Sequence, residues 1–149
     1  MKTLVSMAAL LMLASCTCNP PCDAGALDCA CKEAQACNDA LVCSADNKCI
    51  APTMATVRVT DAAARGCELV LNEAAGTTVA AVAFNNGVEG TWVRQAPKVA
   101  VTFVAGGDSA VSGQVELGLT GPASGVTVSK TGCVDVRGQR IAGVGASVQ

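Results

Sequence analysis

Thr56-Val57-Arg58-Val59-Thr60 alternates polar and apolar side chains with a period of two, and Cys67-Glu68-Leu69-Val70-Leu71 repeats the pattern a few residues on. Successive side chains of an extended chain point to opposite faces, so each stretch predicts a strand with one face buried. Further apolar runs follow at 79–84, 88–94, 99–104, 111–119 and 126–130. Asn85-Asn86-Gly87, Gly106-Gly107-Asp108 and Gly121-Pro122 separate some of them and supply the turn backbone that β-branched residues resist. Only Asp61-Ala62-Ala63-Ala64-Arg65-Gly66 reads as helical, about one turn closed by Gly66. Short strands at this regular spacing predict a mainly β chain, with a two-sheet sandwich over residues 53–149.

The inward set predicted for that sandwich is Val57, Val59, Leu69, Leu71, Val82, Phe84, Val99, Val101, Phe103, Val115, Leu117, Leu119, Val126 and Val128. Cys67 shares a face with Leu69 and Leu71, so its sulfur is expected to point inward, which suits a bridge to Cys133. Closing so long a loop contributes roughly 4 kcal/mol in the chain-entropy picture. Cys133 alternates with Val134 and Val136 and points away from them unless a bulge at Gly132 shifts the register. In size and strand count the domain resembles immunoglobulin-like sandwiches, and cohesin-type domains share the general pattern. Trp92 lies between Cys67 and Cys133, behind Gly90-Thr91, and is expected in the core, with a binding surface as the competing reading.

Upstream the chain changes character. Eight of the ten cysteines precede Ile50, and the boundary falls near Ile50-Ala51-Pro52-Thr53. Between them lie mostly Ala, Asp, Asn and Lys, too little apolar surface to offset chain entropy, so cross-links are expected to replace a core. Cys29-Ala30-Cys31 also fits a thiolate cluster, but the segment has no His and no Cys-x2-Cys pair. Disulfides are therefore expected, with no metal and no cofactor. The stretch from Leu27-Asp28-Cys29-Ala30-Cys31 through Cys37, Leu41-Val42-Cys43 and Cys49 resembles a short Cys-rich module of exported Gram-negative proteins, loosely EGF-like in size. The resemblance implies a compact stapled knob beside other domains; Ala40 stands where that module often has Gly.

At the start of the chain Lys2 precedes an apolar stretch, Thr3 to Leu13, that is too short to cross a bilayer as a helix. Leu13-Ala14-Ser15-Cys16 ends it and resembles the lipobox of bacterial lipoproteins at every position. The resemblance implies that residues 1–15 are a signal peptide and that Cys16 becomes the lipidated first residue of the mature chain. The lipid bilayer is then a partner through acylated Cys16, and two or three acyl chains anchor firmly where one does not. Thr17, in place of the Asp that retains such proteins in the inner membrane, points to the outer membrane of a Gram-negative bacterium, with the inner membrane the less favoured location. Residues 16–51 are thus expected to form the lipid anchor and Cys-rich module. With Cys16 acylated, the simplest assignment pairs Cys22, Cys29, Cys31, Cys37, Cys43 and Cys49 in three bridges and leaves Cys18 as an unpaired thiol. Fifteen connectivities exist for six cysteines, and all of them stay open.

Composition excludes several classes of function. Net charge is −2 with no basic cluster, which argues against nucleic acid. There is no His, so Ser-His and Cys-His nucleophile pairs are absent, and no catalytic residue is assigned. Glu68, Glu73, Glu89, Glu116 and Asp135 are expected at mostly outward strand positions as solvated charges. Asp39 and Asp46-Asn47 lack the regular spacing of a calcium loop. The expectation is a non-enzymatic, membrane-anchored surface lipoprotein that binds an envelope or extracellular protein. The alternative is a tethered protease inhibitor or small hydrolase.

Overall fold

A computed structural model describes residues 22–107 and 109–149; the lipobox, Cys16 and Cys18 lie outside the described residues. The described chain is mainly β. Two short strands, β1 (Val42–Cys43) and β2 (Cys49–Ile50), belong to the Cys-rich region. Nine more follow: β3 (Thr53–Val59), β4 (Gly66–Glu73), β5 (Val79–Phe84), β6 (Val88–Gln95), β7 (Lys98–Ala105), β8 (Val115–Leu119), β9 (Val126–Val134), β10 (Arg140–Ile141) and β11 (Ala146–Val148). They form a five-stranded sheet in the order β10-β9-β4-β7-β6 and a four-stranded sheet in the order β11-β3-β8-β5. Every pairing is antiparallel.

The layering is that of a sandwich, with the first and last long strands exchanged relative to the usual immunoglobulin arrangement. There the first strand flanks the second and the last flanks the sixth. Here β3 flanks β8, and β9 crosses over to flank β4. The bridge between Cys67 and Cys133 follows from that exchange: the two residues are direct cross-strand partners, so the disulfide lies within one sheet and does not join the two.

Alternation along β4 and β7 places Leu69, Leu71, Val99, Val101 and Phe103 inward, and Val57, Val115, Leu117 and Leu119 meet them from the other sheet, all nearly inaccessible. Val82, Phe84 and Val128 pack on this cluster while half-buried. At about 1.5–3 kcal/mol per buried large aliphatic or aromatic side chain, this single core is what holds the sandwich together. Ala55, Ala64, Val79, Val88, Ala105 and Val111 belong to it as well, although the sequence pattern did not select them.

Three expectations are corrected. The 61–66 stretch is a turn: Asp61 Oδ1 accepts the Ala63 N–H at 2.7 Å, Ala64 is fully buried, and Gly66 already belongs to β4. A short polar side chain that bonds its own backbone competes with the helix, and burial of Ala64 decides the outcome. The run at 111–119 is strand only from Val115, because Val111 to Gln114 form a turn with the Gln114 N–H on the Val111 carbonyl. The bulge that brings Cys133 inward is at Ser129 and not at Gly132. Leu71 pairs with Val128 and Val70 with Lys130, so Ser129 is the extra residue, and its hydroxyl donates to the Val70 carbonyl at 2.9 Å. Val126 and Val128 face the core before the bulge and Thr131 and Cys133 after it, while Val134 is half-buried and Val136 exposed.

Candidate functional site

In the Cys-rich region the bridges are Cys22–Cys29, Cys31–Cys43 and Cys37–Cys49. Cys49 is inaccessible and Cys29 and Val42 are nearly so, which makes cystine sulfur the main filling of this module. The turn before Leu41 takes its left-handed residue from Asp39 (φ 45°), so Ala40 needs no glycine there. The sulfurs of Cys31, Cys37 and Cys49 lie within 4.8 Å of one another. They belong to two adjacent disulfides, so none offers a thiolate to a metal. The 3.9 Å approach of the Cys31 and Cys37 sulfurs is a van der Waals contact, since neither carries a hydrogen.

The outer face of the five-stranded sheet presents an exposed apolar surface. Strand register sets it out in rows. Arg140, Val134, Gly66, Val104 and Glu89 lie across one row, and Gly132, Glu68, Thr102 and Thr91 across the next. Lys130, Val70, Ala100 and Val93 form the third. Gly66 and Gly132 are diagonal neighbours and leave a groove of about 500 Å3 walled by Val70, Val104 and Val134, with Lys130, Glu68 and Arg140 on its rim. Val104 and Val93 are 54% and 65% exposed. Short side chains and two glycines give this face relief without an enclosed cavity, a shape suited to a protein partner more than to a small ligand.

A second cleft lies where the Cys-rich module meets the sandwich. Leu41 and Val42 face Thr78, Val79, Ala80, Trp92 and Arg94 across a volume of about 440 Å3. Trp92 is on the inward row of β6 but at the sheet edge, so it is half-buried: its ring packs on the core and also lines this cleft. Arg94, two residues on, donates from Nε to both Glu73 carboxylate oxygens at 2.8 and 3.0 Å. Glu73 also accepts the Val79 N–H at 2.7 Å, and its side chain is 3% exposed. Glu73 is therefore not the solvated charge expected of it; it clamps the ends of β4, β5 and β6 together. The hydrogen bond to Glu73 holds the Arg94 pKa above its ordinary value; burial opposes it, and the Glu73 charge adds a lesser upward push.

Glu68 and Glu89 are exposed on the outer face, and Asp135 accepts the N–H groups of Arg137 and Gln139 in a turn. Among the described residues Arg94–Glu73 is the one ion pair. Sequence reasoning missed the groove because Gly66 and Gly132 become neighbours only through the β4–β9 register. No family model, no curated protein and no solved structure matches the chain.

Proposed function

We propose that this chain is a non-enzymatic lipoprotein of the cell envelope, tethered through acylated Cys16 and presenting a stapled module and a β-sandwich for protein binding. The observation that carries the reading is Leu13-Ala14-Ser15-Cys16 behind a short apolar stretch. The sulfur inventory supports it. The eight cysteines from Cys22 onward pair among themselves, so acylation of Cys16 takes no sulfur from any bridge and leaves Cys18 as the remaining thiol. Thr17 favours the outer membrane, and the absence of His in the whole chain favours binding over acid–base catalysis.

Intact mass of the membrane-extracted protein, taken before and after thiol alkylation without reduction, tests the proposal. The expected species begins at Cys16, carries two or three acyl chains, and gains one alkyl group. A lipid-free species, or one that begins before Cys16, would overturn it.

A further inference from the structure

We infer that the outer face of the five-stranded sheet is the docking surface for a second copy of this chain, packed face to face about a two-fold axis parallel to the strands. Two observations carry this independently of any lipid anchor.

The first is a pair of glycines that the fold does not need. Gly132 sits inside β9 with nothing within 4 Å of where a Cβ would stand, and a Cβ on Gly66 would meet only ordinary contacts at 3.4–3.6 Å. Neither has a positive φ. A glycine inside a strand costs conformational entropy and forfeits packing, and it often marks a place where another backbone comes close.

The second is charge complementarity across the same row. Arg140 ends the row at one margin and Glu89 ends it at the other, with Val134, Gly66 and Val104 between them. Both charges are exposed, and neither has an ion-pair partner among the described residues. A two-fold axis over β4, parallel to the strands, lays β10 over β6 and β9 over β7 of the second copy. Arg140 then faces Glu89 of the second copy, twice by symmetry, and Val134 faces Val104 of the second copy. Such an isologous contact closes on itself and forms a dimer. The two copies of Glu68 come near the axis, and Lys130 of each copy falls one strand and one row from Glu68 of the other and offsets their repulsion. At about 4.8 Å per strand and about 6.7 Å per row, the face is on the order of 500 Å2 per copy. That is less than the roughly 800 Å2 per partner of a standard interface, so the dimer is weak and forms at high local concentration.

Sedimentation equilibrium of the detergent-solubilised full-length protein, with free thiols alkylated, tests this from about 10 μM to about 1 mM. A monomer–dimer equilibrium is expected. Arg140→Glu and Glu89→Arg should each weaken it by about 5-fold or more, and the double reversal should return it to within about 2-fold of the original. Gly132→Val, which meets no atom of its own chain, should weaken it as well. A monomer at every concentration, a dimer indifferent to the charge reversals, or a double variant that stays as weak as the singles would each overturn the proposal.

Discussion

Gly90 and Gly132 show that one residue type answers two demands in one sheet. Gly90 faces inward, where a Cβ would stand 2.5 Å from both the Phe84 ring and the Thr102 carbonyl oxygen, so Phe84 reaches across from the other sheet only because Gly90 has no side chain. Gly90→Val is expected to cost about 2–3 kcal/mol through overpacking, read as a lower urea midpoint with an unchanged slope. Gly132→Val should leave the monomer's stability unchanged or raise it by about 0.5–1 kcal/mol, since a β-branched residue replaces glycine in open space. Similar effects of the two substitutions would contradict this assignment of their roles. Glu73 makes the same point for a charge. Its removal in Glu73→Ala leaves the Val79 N–H without its acceptor and should cost about 2 kcal/mol. Arg94→Ala, whose partner keeps that N–H, should cost under about 1 kcal/mol in the same urea titration.

At the level of elements, two single-residue bulges decide which side chains reach the core. In β5, Val79 pairs with Leu119 and Ala81 with Gly118, so Ala80 is extra, and Val82 and Phe84 face the core although they differ in parity from Val79. In β9, Ser129 does the same for Thr131 and Cys133. A shift of one residue turns every later side chain to the other face. Insertion of one residue between Lys130 and Thr131 is therefore expected to point Cys133 to solvent and separate it from Cys67, whereas deletion of Ser129 removes the bulge and leaves Lys130 opposite Val70 and Cys133 opposite Cys67. The measurement is thiol alkylation of the unreduced protein, which should find two more reactive thiols than the parent in the insertion variant and no more than the parent in the deletion variant. An intact Cys67–Cys133 bridge in the insertion variant, or a lost one in the deletion variant, would mean that the register is held by something other than the residue count after the bulge.

At the level of the whole molecule, two parts are stabilised by different physics. Each loop closed in the Cys-rich module contributes about 3 kcal/mol in the chain-entropy picture, with little buried apolar surface behind it. The sandwich rests on its core and loses roughly 4 kcal/mol with the Cys67–Cys133 bridge. Full reduction should thus collapse the amide dispersion of residues 22–50 in NMR spectra while β3 to β9 stay folded, and simultaneous loss of both would show that the module supports the sandwich. Much of this division is written in the sequence. Alternation of valine and leucine with polar residues fixed the strands and the inward set, because side-chain direction along a strand is a local property of period two. Cysteine density marked the stapled module for a similar reason, since composition alone bounds how much surface a segment can bury. What tertiary structure decided is everything that depends on which strand lies beside which. The three module bridges, the in-sheet position of Cys67–Cys133, the clamp at Glu73, the bulge at Ser129 and the meeting of Gly66 with Gly132 all follow from register and sheet order. Those are set by how the two inner faces close over one core, a choice that no local stretch of sequence contains.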